Sequence, residues 1–176
     1  MHETLADTAA LEEHLSRPTA AAVETLRRLD GDVVILGAGG KMGSTAACMV
    51  RRALDLAGGR ARRVTAVSRF TDRAKAEALE AAGVATVSCD LLDRAAVARL
   101  PDAGLVLHLT GQKFGTGGDP GRTWAVNTLA PAAAIERYAG ARIVLFSTGC
   151  VYPLVPVAGP GAAEDAPLEP PGEYAN

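Results

Sequence analysis

No paired cysteine framework is available to this chain: Cys48, Cys89 and Cys150 are odd in number, far apart and outside any CxxC spacing. That excludes a disulfide-stapled fold and a zinc site, and it predicts buried reduced thiols. Charge of one sign is also missing. Eighteen Lys and Arg are interspersed with twenty Asp and Glu for a formal net charge of -2, so the sequence carries neither a nucleic-acid footprint nor a basic membrane-seeking face. Long apolar runs are absent from the acid-studded first 30 residues, which excludes a signal peptide or span there and predicts a soluble, cytoplasmic protein. Histidine is sparse. His2 and His14 fall on an N-terminal helical segment and His108 within a strand, with no HxxxH spacing, so no metal is expected. No internal repeat is visible.

What is present is 176 residues at 48% hydrophobic content, enough for one substantial core and short for two domains. Two amphipathic helices are predicted first, over residues 6–15 and after Ser16. Pro18 is expected in the second one's opening turn, with Val23, Leu26 and Leu29 as its apolar stripe and Asp30-Gly31 as its end. From there β-rich apolar runs at 32–36, 64–67, 85–89, 105–109 and 143–146 alternate with Ala-rich stretches of helical period at 42–57, 72–82, 94–100 and 122–139. Such alternation is the pattern of βα units on a parallel sheet. Thr71 is a candidate N-cap and Gly83 a candidate stop for the helix between them. The expected fold is α/β: a Rossmann-type doubly wound sheet of order 3-2-1-4-5, over 32–152, with helices 1–31 packed on it. Ligands belong in the crevice where the strand order reverses. Residues 153–176 are rich in Pro and Gly and read as a long loop.

Gly37, Ala38, Gly39, Gly40, Lys41, Met42 and Gly43 place a GxxGxxG run between the first strand and its helix. Gly37 suits a sharp turn, Gly40 an approach of backbone to a pyrophosphate, and Gly43 close packing of helix on strand. Amides at the helix start and its dipole then hold phosphate charge without a basic side chain. A P-loop does not fit, because Met42 separates Lys41 from Gly43-Ser44 and Ile35 stands where Walker A needs glycine. NAD or NADP is the expected cofactor. Where an NAD-preferring domain presents an acid after its second strand, this chain reads Val67-Ser68-Arg69-Phe70. Arg69 suits a 2′-phosphate, which tilts the expectation toward NADP, with Asp72 nearby as a moderating charge and a solvated arginine as the alternative.

Cys89-Asp90-Leu91-Leu92-Asp93, Asn127, and Phe146-Ser147-Thr148-Gly149-Cys150-Val151-Tyr152 follow the glycine turn in order. With them the chain resembles the extended short-chain dehydrogenase/reductase family, often called NAD-dependent epimerase/dehydratases, over roughly 32–176. The resemblance implies that Gly37, Gly39, Gly40, Lys41, Met42 and Gly43 hold the pyrophosphate, that Asp90 bonds the adenine amino group, and that Leu91 packs beside the ring. Leu109, Thr110, Gly111 and Asn127 would complete the cofactor site, with Thr148 bonding the substrate's reacting oxygen and Tyr174 matching the YxxxK tyrosine. A tyrosine with its ordinary pKa of about 10 needs a cation close by to act as phenolate near neutrality. The family's lysine would fall four positions after Tyr174, past Asn176. His108-Leu109-Thr110-Gly111 stands where HxAA is common, and Pro153 replaces the glycine that often follows VY.

The resulting expectation is the NAD(P)-binding portion of an epimerase, dehydratase or reductase acting on a nucleotide sugar or related carbohydrate by hydride transfer. A non-catalytic dinucleotide-binding or redox-sensing protein is the alternative, and a methyltransferase-like nucleotide binder a third. Lys113, in the glycine-rich loop after strand four, is a candidate charge near the nicotinamide or a solvated loop lysine. The open edge of strand five, unless a partner chain or further sequence covers it, predicts a homodimer or poor solubility of the isolated chain.

Overall fold

A computed structural model of the chain describes residues 5–113 and 118–176. His2, assigned from sequence to a helical segment, lies outside the described residues, as does part of the loop after Lys113.

Helix α1 (Thr8–Leu15) starts where Asp7 accepts the Ala10 amide, and α2 (Ala20–Arg28) where Thr19 accepts that of Ala22. The second cap sets the helix start past Pro18, which therefore precedes the first turn instead of sitting in it. Leu26 is buried beside Val33 and Ile35, with Val23 and Leu29 packed at its flanks. The stripe thus docks α2 on the sheet's first layer, against the helix described next.

Five strands follow: β1 (Val33–Leu36), β2 (Val64–Ser68), β3 (Ala85–Ser88), β4 (Leu105–His108) and β5 (Arg142–Leu145). They form one parallel sheet of order β3-β2-β1-β4-β5. Register aligns Leu36 with Val67 on one side and with His108 on the other, so the carboxyl ends of three strands meet at one level. The helices between them are α3 (Lys41–Leu56), α4 (Arg73–Ala81) and α5 (Arg94–Ala98). β1 is buried on both faces. Val33 and Ile35 point into one apolar cluster with Ala47, Val50 and Leu54 of α3, while Val34 and Leu36 point into another with Val97, Ala130, Ala133 and Ala134. Alternate residues of one strand therefore cement two helical layers onto the sheet.

Arg51 of α3 is buried, and its guanidinium donates to Asp55 Oδ1 at 2.7 Å and to the Arg62 carbonyl at 2.6 Å. This ties the end of α3 to the lead-in of β2. Helix α4 is capped by Asp72, whose carboxylate accepts the Ala74 amide at 3.1 Å, and not by Thr71. Gly83, at φ +79°, does end that segment.

The helix predicted over 122–139 is composite: α6 (Pro120–Trp124), a π-helical turn (Ala125–Leu129) and α7 (Ala130–Arg137). Pro131 cannot donate to the carbonyl four residues back, that of Asn127, and the Ala130 amide reaches back five residues to Ala125. The widened turn leaves Asn127 free to look away from the helix.

After β5 comes a 3-10 turn (Gly149–Val151), and the expected long loop over 153–176 contains one ordered piece, α8 (Gly172–Ala175). The Trp124 indole N–H donates to Glu173, so α8 is fastened to α6. Of the three thiols, Cys89 is buried and Cys48 half-buried, but Cys150 is exposed; its place in the 3-10 turn, beyond the sheet, corrects the expectation of three buried cysteines. No described helix is long and apolar enough to cross a membrane. Among the described residues no group of His, Cys, Asp or Glu is arranged to hold a metal.

Candidate dinucleotide site

The turn after β1 is built by backbone bonds into the neighbouring strand. The Gly37 and Ala38 amides both donate to the Val67 carbonyl, at 2.9 and 3.1 Å, and the Gly40 amide closes back on the Gly37 carbonyl at 3.0 Å. Gly37 takes φ +88°, a left-handed conformation that side chains resist, and a Cβ there would stand 2.7 Å from the Thr110 amide and hydroxyl. At Gly43 a Cβ would meet the Gly37 carbonyl at 2.4 Å and the Ala38 Cα at 2.6 Å, so helix and turn touch only because side chains are missing.

The helix starts differ in a telling way. α1, α2, α4, α5 and α6 each open on Asp or Thr whose side chain accepts a first-turn amide. α3 opens on Gly40 with no side-chain cap; α7, which continues from the π-helical turn, and the four-residue α8 also lack one. Gly40, the residue on which α3 opens, lines with Gly37 and Gly39 a cavity of about 700 Å³ at the carboxyl ends of β1, β2, β3 and β4, next to the positive end of the helix dipole.

Gly37, Gly39, Gly40, Arg69, Asp90, Leu91, Leu109, Thr110 and Gly111 all line that cavity. These are nine of the residues singled out from sequence. Asp90 accepts the Leu92 amide at 3.0 Å in a tight turn, while the cap of α5 is Asp93. Leu91 is buried in the second apolar cluster with one side toward the cavity. Thr110 Oγ1 is buried without a hydrogen-bond partner among the described residues. An orphaned hydroxyl, an uncapped helix and a cradle that any Cβ would fill are what a bound dinucleotide phosphate requires.

Other candidates stand apart. Gly43 is buried beneath the turn, and Lys41 and Met42 expose their side chains at the start of α3, outside the cavity lining. Asn127 does not line the cavity either. It accepts the Gln112 amide at 2.9 Å and donates to the Gln112 carbonyl at 3.1 Å, shaping the loop that does. Thr148 lies beyond β5, half-buried, where its hydroxyl accepts the Cys150 amide at 3.2 Å. Tyr174 is half-buried on α8. Neither Thr148 nor Tyr174 lines the cavity.

Sequence reasoning missed Lys75, Gln112, Arg122 and Val126 in the wall. Lys75 and Gln112 are placed by contacts across 36 and 15 residues, and no local pattern marks them.

The fold recurs in solved structures. One is a short-chain dehydrogenase/reductase superfamily protein from Agrobacterium tumefaciens with bound NAD, 27% identical, TM-score 0.59, covering 81% of this chain and 40% of that one. Another is the UDP-N-acetylglucosamine 4-epimerase of Methanobrevibacter ruminantium M1 in complex with UDP-N-acetylmuramic acid, 21% identical, TM-score 0.65, covering 84% and 46%. The UDP-glucose 4-epimerase of Brucella ovis in complex with NAD is 15% identical, TM-score 0.62, with 83% and 44% covered. The chain thus spans under half the length of each. No curated protein matches it. The model of the NAD dependent epimerase/dehydratase family matches residues 33–176, and with the uncapped glycine turn at the head of its cavity this chain belongs to that family.

Proposed function

We propose that the chain is the cofactor-holding part of an epimerase, dehydratase or reductase that acts on a nucleotide sugar or related carbohydrate. The observation that carries the reading is the uncapped start of α3 opening on the 700 Å³ cavity, beside an orphaned Thr110 hydroxyl. Family membership supports the reaction class, and the sugar-nucleotide epimerases that share the fold support the substrate class.

A bound nicotinamide dinucleotide supplies the hydride acceptor or donor. The chain's own residues hold and orient. The glycine turn at Gly37, Gly39 and Gly40, which lines the cavity at the start of α3, would hold the pyrophosphate and Asp90 the adenine, and the Gln112 backbone, fixed by Asn127, shapes the far end of the cavity. Thr148 uses its oxygen lone pair on the Cys150 amide, which leaves its O–H to donate to a substrate oxygen. Tyr174, once ionised beside a cation, would take the proton of a substrate hydroxyl, and Glu173, which accepts the Trp124 indole N–H, fixes the helix that carries it.

Binding without turnover is the second reading, favoured by the position of Thr148 and Tyr174 outside the cavity wall. Tyr174→Phe separates the two. Loss of about a hundredfold or more in nucleotide-sugar turnover, with NAD affinity kept, supports catalysis; a protein that binds NAD and turns over no nucleotide sugar supports the binder. Full turnover by the variant overturns the role of Tyr174.

A further inference from the structure

Arg122, in the first turn of α6, is a half-buried cation of the cavity wall that the fold itself does not use. Its backbone amide donates to the capping Asp119 carboxylate at 2.8 Å, while its guanidinium has no hydrogen-bond or ion-pair partner among the described residues. Lys75, in the same wall, spends its ammonium on the Gly39 carbonyl at 3.2 Å.

Arg122 shares one side of its helix with Val126 and Ala130, one and two turns further on, and all three line the cavity. Ala130 belongs to the same apolar cluster as Leu91, so this side of the helix stands against the turn Asp90-Leu91-Leu92 that follows β3. The cavity there is a slot with apolar sides. Asp90 supplies the one carboxylate of its β3 side, and Arg122 the one guanidinium of its helical side. Helical side chains lean toward the N-terminus, which sets the guanidinium outward of Val126, over the mouth of the slot.

β2 separates β3 from β1 in the sheet, so this slot lies two strand spacings, roughly 10 Å, from the glycine turn. A diphosphate on that turn therefore leaves a base, not a phosphate, at the Asp90 end. A carboxylate there meets the edge of the ring and its amino group, and the ring face turned to the mouth needs a cover. A planar guanidinium without a partner of its own lies flat on such a face, joining stacking to cation–π attraction. We infer that Arg122 stacks on the base of the bound dinucleotide and makes the site prefer a two-ring base to a one-ring base. This rests on reading the cavity as a dinucleotide site.

The test titrates the 176-residue chain by calorimetry with NAD and with nicotinamide cytosine dinucleotide, which keeps an amino group for Asp90 and offers one ring in place of two. NAD is expected to bind at least about tenfold more tightly. Arg122→Gln, which breaks no bond within the fold, should weaken NAD about tenfold and bring the ratio of the two affinities toward one. Arg122→Lys should recover little of that loss, because it keeps the charge and loses the plane. Equal affinity of the native chain for both dinucleotides, or undiminished NAD binding by Arg122→Gln, overturns the stacked arginine and leaves the dinucleotide site standing. So does full rescue by Arg122→Lys, the mark of a charge on phosphate. Binding of neither dinucleotide overturns the site and the stacked arginine together.

Discussion

The Asn127 side chain satisfies both backbone groups of Gln112, accepting its amide at 2.9 Å and donating to its carbonyl at 3.1 Å. A π-helical turn is thereby coupled to the loop that closes the far wall of the cavity. Asn127→Ala removes both bonds and should cost about 1–2 kcal/mol in denaturant unfolding, with weaker dinucleotide binding. Unchanged stability and affinity would mean that the loop holds its shape without Asn127.

Close contact between turn and helix sets Gly43 apart from a glycine in open space. Gly43→Ala forces a methyl to 2.4 Å from the Gly37 carbonyl, whereas at Gly140 a Cβ would meet nothing within 4 Å. Thermal unfolding should show a loss of about 1–3 kcal/mol for Gly43→Ala and almost none for Gly140→Ala. Equal behaviour of the two variants would contradict the packing described.

Much of this arrangement is written locally in the chain. The apolar runs of β1, β2 and β4 and the Ala-rich helices between them follow short-range periodicity, and the glycine turn sits at a strand-to-helix junction where its spacing is meaningful. What was not legible depends on register between distant segments. Lys75 reads as one more surface lysine of α4 until the fold lays it over Gly39. The π turn arises from Pro131, whose effect reaches back to the carbonyl of Asn127, and sequence periodicity drew one continuous helix there. Thr71 and Asp72 are both good caps side by side, and only the backbone geometry chooses Asp72. The lack of a CxxC or paired spacing predicts Cys150 as a buried reduced thiol, yet it lies in the exposed turn after β5, because spacing says nothing of burial.

His108 closes β4 with 1% of its surface exposed and its Nε2 without a hydrogen-bond partner among the described residues. Burial pushes its pKa below the ordinary 6.5, so the folded chain keeps it neutral while the unfolded chain protonates. Above pH 6.5 both states are neutral and nothing is lost. As pH falls below that value, unfolding gains a proton and stability drops by up to about 1.4 kcal/mol per pH unit until the folded-state pKa is reached. Denaturant midpoints between pH 7 and 5 should fall in the native chain and stay flatter in His108→Leu, compared each with its own value at pH 7. The same slope in both would assign the loss to other groups.

Gly40 offers the most direct check on dinucleotide binding. It takes an ordinary extended backbone, φ -77° and ψ 167°, and a Cβ there would approach only the Gly37 carbonyl, at 3.3 Å, while the residue lines the cavity. Gly40→Val should therefore fold and fill the space in front of the α3 amides. Calorimetric titration of both proteins with NAD and NADP is expected to give saturable binding to the native chain and a loss of at least about tenfold in the folded variant. Heat-silent titration of the native chain, or equal affinity in a folded Gly40→Val, would contradict a pyrophosphate held on that turn.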